Sequence, residues 1–457
     1  MKTSSKDPRQ AHDHVSEATP AVNCHKYQEL LKGYRSGRMV GKVRQVIGLV
    51  MEVSGVSPFI GEVCQVETFQ GEQRPAEVVG FKDKLSLLMP LGDLKGVSPG
   101  CRVFPTGKSF TVRVGEKLKG KVLDGLGNLL DSGKPALTLE EGQEYTVDNQ
   151  PPNPLSRQPI EKVLPTGIKS IDAMLTCGEG QRLGIFAGSG VGKSTVLGMI
   201  SRYSEAQVNV IALIGERGRE IGDFLKNDLG EEGLQRSVVV ASTSDRSALE
   251  RVRGGLVAVT IAEYFRDQGY KVIFMMDSVT RFCMAQREIG LAVGEPPATK
   301  GYTPSVFALL SRYLERSGTA SRGSITGFYS VLVDGDDFTE PITDAVRGTL
   351  DGHIVLDRKL AAQNHFPAVD VLNSNSRLMP HLAETEHRNA AAEVRRLLSA
   401  YNSAEDLINI GAYVSGSQKE VDRAIEKRGD IMKFLAQDLH EGYRFDETLK
   451  LLKRVAK

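Results

Sequence analysis

The sequence has no tryptophan and no apolar run that approaches the roughly 18 residues needed to cross a bilayer. Its first residues, MKTSSKDPRQAHDH, also lack the apolar segment of a secretory signal. These two absences exclude a membrane-spanning protein and a secreted one. They predict a chain that works in the cytoplasm.

Cysteine is scarce, and neither sign of charge dominates. The five cysteines form no C-x-x-C pair and are widely spaced, at Cys24, Cys64, Cys101, Cys177 and Cys283. This odd, scattered set argues against a disulfide framework or a zinc site and predicts buried, reduced thiols. The formal net charge is +1 and aromatic residues make up 6% of the chain, so we expect no nucleic-acid partner.

The length of 457 residues is too great for one hydrophobic core, so several domains are expected. Residues 1–37 are polar, apart from an apolar stripe with the spacing of one helix face, formed by Tyr27, Leu30, Leu31 and Tyr34. A helix this short needs a surface to bury its stripe against. It either lies on its own domain or docks on a partner or a membrane surface.

Residues 38–107 consist of short strand-like runs separated by glycine, proline and charged turns. Such regular punctuation predicts a small β-barrel, with a sandwich as the alternative. Few lysines, arginines or exposed aromatics cluster in it, which weakens an oligonucleotide-binding role and favours a role in assembly.

Residues 108–385 begin with a linker rich in glycine and proline and continue as apolar strands that alternate with helices. Buried β-branched strands between helices predict a parallel sheet covered on both faces. One helix is expected from Ser247 to Gln268, and another begins at Pro304, where a first-turn proline is tolerated.

Residues 386–457 are predicted to form a small helical domain. One apolar stripe has helical spacing and comprises Ala390, Val394, Leu397, Leu398 and Tyr401. Ser417 and Glu420 have the spacing of a capping box at the start of a later helix.

The run RLGIFAGSGVGKST has the order strand, glycine-rich loop, helix, which is the context of a phosphate-binding loop. The backbone amides of such a loop surround a phosphate group, and Lys193 would neutralise the phosphate charge. The Ser194 hydroxyl can ligate Mg²⁺ at the helix N-terminus. Ala187 replaces only the first glycine of the usual pattern. The residues assigned to nucleotide binding are Ala187, Gly188, Ser189, Gly190, Val191, Gly192, Lys193, Ser194 and Thr195.

Two acidic residues follow apolar strands of the predicted sheet. Asp277 ends the apolar run KVIFMMD, at the carboxyl edge of a parallel sheet, where the group that organises magnesium is found beside a phosphate loop. The alternative role for Asp277 is a helix cap. Glu216 follows the strand in ALIGERGRE, where a glutamate can orient and polarise an attacking water. Without the neighbouring motifs, Glu216 would more often be a member of an ion pair than a catalytic base.

Three longer stretches together resemble the ATPases of type III protein export, within the wider rotary ATP synthase α/β family. They are GERGREIGDF, DSVTRFCMAQREIGLAVGEPPATKGYTPSVFALLSRYLERSG and LDGHIVLDRKLAAQNHFPAVDVLNSNSR. The resemblance runs from about residue 38 to the end. It implies a RecA-like P-loop core between an N-terminal β-barrel and a C-terminal helical domain.

The resemblance also implies roles for individual residues. Glu216 corresponds to the water-orienting glutamate and Arg217 to a phosphate-holding arginine, while Arg281 lies near the magnesium-organising Asp277. Arg377, in NSNSR, corresponds to an arginine that one subunit inserts into its neighbour's site, which requires a ring. With Lys193, these residues form the predicted catalytic set.

Phe366 stands where the family usually has a tyrosine against adenine, and stacking survives that change because it needs only the aromatic face. Phe445 is the candidate for the opposite wall. Three other departures are Thr303, Asp357 and Asn364, where proline, serine and glycine are usual. Asn tolerates a left-handed backbone, so we expect Asn364 to be harmless.

The implied protein is a hexameric ATPase that uses ATP and Mg²⁺ to energise export of unfolded proteins. Its expected partners are a regulator or stator protein at the N-terminus, export-gate membrane proteins and chaperone–cargo complexes. It would be cytoplasmic and peripheral to the inner-membrane export apparatus. A flagellar machine is favoured over a virulence injectisome, and the alternatives of other classes are a noncatalytic assembly subunit and a ring RNA translocase.

Overall fold

The computed structural model describes residues 39–333 and 337–457. The predicted helical stripe from Tyr27 to Tyr34, and Cys24, lie outside the described residues. No helix in the described ranges is long and apolar enough to span a bilayer. The cysteines within these ranges are buried and free, as predicted; they are Cys64, Cys101, Cys177 and Cys283.

The first domain is a closed β-barrel, which confirms the barrel and excludes the sandwich. Its strands are β1 (Gly41–Ile47), β2 (Val50–Ser54), β3 (Glu62–Glu67), β4 (Gln73–Lys82), β5 (Leu85–Pro90) and β6 (Arg102–Ser109). They pair in the order β1-β2-β5-β4-β3-β6, and β6 closes on β1. Alternate residues of β3 are buried, since successive side chains of a strand point to opposite faces.

The central domain is built on one large sheet. Its strands are β8 (Val122–Leu123), β10 (Arg182–Ala187), β11 (Val208–Ile214), β12 (Ser237–Ser242), β13 (Lys271–Asp277), β14 (Gly318–Thr319), β15 (Ser324–Leu332), β16 (Gly352–Leu356) and β17 (Val369–Ser376). Across the sheet the order is β17-β16-β10-β15-β13-β11-β12-β8, and β14 pairs with β15. The strands from β16 to β8 along this order are parallel, and β17 is an antiparallel edge. All of β11 and β12 is buried, which confirms the predicted sheet covered on both faces.

Helices cover this sheet and continue into the third domain. Their bounds are α1 (Lys169–Met174), α2 (Lys193–Tyr203), α3 (Gly218–Asp223), α4 (Gly230–Gln235), α5 (Ala248–Asp267), α6 (Val279–Ala292), α7 (Pro304–Leu314), α8 (Pro341–Thr349), α9 (Arg358–Ala362), α10 (Met379–Leu382), α11 (Thr385–Asn409), α12 (Lys419–Leu435) and α13 (Phe445–Ala456). A π-helical turn, Phe224–Leu229, joins α3 to α4. The helix predicted from Ser247 to Gln268 is confirmed as α5, with Ser247 as its N-cap, and Pro304 opens α7 as predicted.

The predicted linker after the barrel is more ordered than its composition suggests. β7 (Thr111–Val114) pairs with β9 (Gln143–Thr146), and the short β8 adds a parallel edge to the main sheet beside β12. A strand of two residues has no hydrophobic periodicity, so β8 could not be predicted from the sequence.

The helical stripe of the third domain is confirmed, because Ala390, Val394, Leu397 and Leu398 are buried on α11. The predicted capping box is wrong: α12 starts after Gln418, which makes no side-chain cap. Instead, Asp422 in the first turn of α12 accepts bonds from the Gly416 N–H and the Tyr413 hydroxyl. A carboxylate within the helix therefore accepts the hydrogen bonds of donors in the preceding loop.

A buried ion cluster fastens the barrel to the central domain. Arg253 of α5 donates through Nε to Glu77 of β4 (2.7 Å) and through Nη1 to Asp148 (3.0 Å). Arg253 and Glu77 are 6% and 4% exposed. Burial raises the pKa of Glu77, and the Arg253 charge opposes this rise. The cluster ties the two domains together only while both partners are present.

Arg253→Met should therefore destabilise the barrel by about 3–5 kcal/mol, because Glu77 would be left buried without its counter-ion. The check is urea denaturation followed by circular dichroism. The matched control is Arg251→Met on the same helix, whose partner Glu288 is exposed and whose loss should cost under about 1 kcal/mol. The double change Arg253→Met with Glu77→Met should recover most of the loss; equal losses in the single and double variants would contradict this role.

Candidate nucleotide-binding site

The glycine-rich loop lies between the end of β10 at Ala187 and the start of α2 at Lys193. Gly190 and Gly192 have positive φ angles of 78° and 93°, which favour glycine. At Gly188, a Cβ would stand 2.7 Å from a guanidinium nitrogen of Arg358. Ala187 is still part of the strand and is buried, so the missing first glycine leaves the turn unchanged.

Lys193 lies between two carboxylates at the carboxyl edge of the sheet. Its Nζ is 2.5 Å from Asp277 Oδ1 and 3.5 Å from Glu216 Oε1. Burial alone would lower the pKa of Lys193, but the two carboxylates outweigh it and the pKa is raised. Lys193 is thus a firmly charged ammonium.

Asp277 ends β13, separated from the loop strand β10 only by β15. Ser330, in β15, donates its hydroxyl to Asp277 Oδ1 at 2.7 Å. Ser330 was not predicted from the sequence, and its only signal is a serine inside an otherwise apolar, fully buried part of a strand. Its bond fixes the carboxylate toward Lys193.

Glu216 follows β11 and is 7% exposed. Arg281 Nε, from α6, lies 3.2 Å from Glu216 Oε1. Burial and the nearby Asp277 raise the pKa of Glu216 to about 7, against the opposing charges of Lys193 and Arg281. A carboxylate with its pKa near neutrality is suited to accept a proton at the pH of the cytoplasm.

These residues line a pocket of about 340 Å³. The predicted residues that it brings together are Gly188, Ser189, Gly190, Gly192, Lys193, Ser194, Thr195, Glu216, Arg217, Asp277 and Arg281. Leu213, Ile221, Phe224 and Leu332 add apolar wall that the sequence did not reveal. The Arg217 side chain is 77% exposed, 3.5 Å from Glu220, so it stands at the mouth rather than in the interior.

Five predicted residues lie outside this pocket. Val191 is buried in the core behind the loop, as Ala187 is. Phe366 lies over the loop, with ring atoms 3.6 Å from where a Cβ of Gly192 would stand. It lines a second cleft that shares Thr195 with the first, so the two clefts adjoin at that residue.

Phe445 and Arg377 are placed elsewhere in the chain. The Phe445 ring packs edge-on against His387, with centroids 6.0 Å apart, and does not line either cleft. The side of the second cleft that faces Phe366 is instead formed by the segment after α12, from Ala436 to Leu439. Arg377 is exposed after β17, with its backbone N–H bonded to Asp351.

The donor set suits magnesium. The Ser194 hydroxyl and the Asp277 carboxylate both line the pocket beside the phosphate loop, and Mg²⁺ prefers one or two such oxygen ligands together with phosphate oxygens and water. Within the described ranges, no group of three or more His, Cys, Asp or Glu side chains could form a metal cage by itself. A metal at this site would thus arrive with the phosphates.

Family profiles cover most of the chain. The nucleotide-binding domain of the ATP synthase alpha/beta family matches residues 167–376, and the beta-barrel domain of that family matches residues 43–107. The C-terminal domain of the T3SS EscN ATPase matches residues 383–454.

Curated relatives match along nearly the whole length. A flagellum-specific ATP synthase of Bacillus subtilis is 53% identical over 91% of this chain and 95% of its own. A type 3 secretion system ATPase of Xanthomonas euvesicatoria is 49% identical over 92% of this chain and 94% of its own.

Among solved structures, the chain is similar to the assembled ATPase EscN of the enteropathogenic E. coli type III secretion system. The TM-score is 0.86 at 44% identity, covering 91% of this chain and all of that one. EscN solved with its central stalk EscO gives a TM-score of 0.84 at 43% identity over the same shares.

The raised pKa of Glu216 predicts the pH dependence of turnover. If Glu216 must be ionised to accept a proton, kcat/KM for ATP should fall as the pH drops through about 7, since an ordinary glutamate would keep activity to about pH 4.3. The measurement is kcat/KM between pH 5.5 and 9. Nucleotide binding to Glu216→Gln over the same range is the control, and an acid limb that lies below pH 5.5 would contradict the assignment.

Proposed function

The chain belongs to the ATP synthase alpha/beta family and is a nucleotide-binding ATPase, and we propose that it hydrolyses Mg-ATP to energise type III protein export in flagellum assembly. One observation carries the proposal: Lys193, Asp277 and Glu216 meet at one edge of the sheet, beside a formed phosphate loop. The flagellar role is taken from the B. subtilis relative, at 53% identity. The secretion-system relative, at 49%, makes the injectisome the second candidate machine.

In this mechanism, the loop amides and Lys193 hold the β- and γ-phosphates while Ser194 and Asp277 hold Mg²⁺. The metal, when bound, neutralises phosphate charge during transfer. Glu216 accepts a hydrogen bond from the attacking water and takes its proton as the water oxygen bonds to the γ-phosphorus and ADP leaves. Arg281, 3.2 Å from Glu216, keeps that carboxylate oriented, and Arg217 at the mouth closes over the phosphates.

A ring follows from the position of Arg377. It is exposed and does not line the pocket of its own subunit, yet a hydrolytic site of this kind gains from a cation at the γ-phosphate. In a homohexamer, the guanidinium from one subunit would complete the site of the next. The assembled state of EscN, 44% identical, supports this arrangement.

The proposed partners follow the same relationship. EscN is solved with a central stalk protein, and we assign this chain a regulator or stator contact, export-gate membrane proteins and chaperone–cargo complexes. It would act in the cytoplasm at the inner-membrane export apparatus. A noncatalytic assembly subunit is disfavoured because Glu216 is present and stands beside Lys193.

Glu216→Gln tests hydrolysis directly. The amide fills the same space but cannot take a proton, so turnover should fall by about 10² or more while the affinity for ATP stays near that of the wild type. Steady-state phosphate release and calorimetric binding of ATP supply the two readouts. Wild-type turnover in this variant would remove Glu216 from the mechanism, and stimulation of the wild type by RNA would favour a translocase instead.

Arg377→Ala tests the shared site. Turnover should fall by about 10³ to 10⁵, the usual contribution of an arginine supplied by a neighbour, with binding spared. Mixing Arg377→Ala with Glu216→Gln subunits should restore measurable activity, because some interfaces then combine an intact Glu216 with an intact Arg377. A mixture that stays inactive at every ratio would contradict a site shared between subunits.

A further inference from the structure

Lys169, the first residue of α1, is a buried lysine that the hydrolytic mechanism does not use. It is 7% exposed and lines the second cleft, the one that also contains Phe366. Its Nζ lies 4.5 Å from the centre of the Tyr443 ring and 6.0 Å from that of Phe434. Among the residues that the structure describes, no carboxylate lies within 4.0 Å of this ammonium, and no side-chain hydrogen bond is made by it.

The electrostatic position of Lys169 is unfavourable without a ligand. Burial lowers its pKa, and the charge of Glu441 only partly opposes this shift. The faces of Tyr443 and Phe434 attract a cation but accept no directed hydrogen bond from its three N–H donors. The ammonium of Lys169, a residue that lines the cleft, therefore packs against two ring faces and has no hydrogen-bond acceptor among the side chains that the structure describes.

The cleft itself has the form of a base-binding site. Phe366 lies against Gly192 of the phosphate loop, and Thr195 lines both this cleft and the phosphate pocket. Its lining also includes Asn364, Lys433, Ala436, Gln437, Asp438, Leu439 and Glu441. A nucleotide whose phosphates lie on the loop would extend its base toward Phe366 and Lys169.

Gln437 holds the walls of this cleft together. Its side-chain oxygen accepts from the Lys169 N–H (2.8 Å), and its amide donates to the carbonyls of Gly167 (2.8 Å) and Glu441 (2.7 Å). Its own N–H donates to the Phe366 carbonyl at 2.8 Å. The backbones that carry the lysine and the aromatic ring are thus fixed relative to each other.

We propose that Lys169 binds the nucleobase, donating a hydrogen bond to an acceptor atom on the edge of the base while Phe366 stacks on its face. The lysine would then set part of the affinity for ATP and ADP independently of the phosphates. This inference rests on the proposed function, because it places the base of the same nucleotide. The aromatic ring can stack on any base. The ammonium would increase the affinity only for bases that have a hydrogen-bond acceptor at that edge.

The test is Lys169→Met, which keeps the length and removes the donors. Calorimetry should show affinities for ATP and ADP weakened roughly 10- to 100-fold, as for loss of a hydrogen bond to a charged group. Affinity for base-free tripolyphosphate should be unchanged. The matched control is Lys450→Met, an exposed lysine on α13, which should alter none of these affinities.

Thermal stability separates this role from a structural one. A buried ammonium without a counter-ion costs free energy, so nucleotide-free Lys169→Met should melt at the same temperature as the wild type or higher. A lower melting temperature together with equal losses for ATP and tripolyphosphate would indicate a packing role and overturn the proposal. If the variant does not fold, Lys169→Gln, which keeps a donor, should bind ATP better than Lys169→Ala.

Two further outcomes distinguish the possible errors. If the loss on Lys169→Met disappears when 2′-deoxy-ATP replaces ATP, the lysine contacts the ribose and the base assignment is wrong. If the wild type hydrolyses ATP but the ratio of ATP to tripolyphosphate affinity is the same in the variant, only the Lys169 inference fails. A wild type that binds nucleotides without hydrolysing them would instead overturn the proposed function.

Discussion

The charge arrangement around Lys193 is the constraint on which the site depends. One ammonium is held by Asp277 at 2.5 Å and by Glu216 at 3.5 Å, at the carboxyl edge of a largely buried sheet. The ammonium offsets the cost of burying these two acidic side chains, because burial of an unpaired charge is costly. Phosphates that attract Lys193 would leave Glu216 with Arg281 as its nearest cation and free it to meet water. In the proposed mechanism, the same lysine balances these charges before the nucleotide binds and would hold its phosphates afterwards.

The strand order explains why these groups meet although 84 positions separate Lys193 from Asp277. Because the strands from β10 to β11 are parallel, the loop after each one leaves the sheet at the same edge. β15 stands between β10 and β13 and supplies Ser330, which anchors Asp277. The fold thus places the phosphate loop, Asp277 and Glu216 around one cleft, and it does so through the order of the strands rather than through local sequence.

Much of this was predictable because the signals were periodic or tied to a motif. Apolar runs placed β10, β11 and β13, and the left-handed φ of Asn364 matches the tolerance expected of asparagine. The elements that the sequence analysis missed or predicted wrongly share a different cause. β8 is too short to show a period, and Asp422 displaced the predicted capping box through contacts with the preceding loop. The positions of Phe445 and Lys169 are set by packing between the central and C-terminal domains, which no local pattern encodes.

The link between the base cleft and the helical domain has a mechanical consequence. Gln437, just after α12, bonds the backbones of Lys169 and Phe366 on the central domain. A base bound between them would touch both domains, whereas the phosphates touch only the central one. Movement of α12 away from the sheet would strain these bonds, whereas the phosphate loop lies wholly within the central domain.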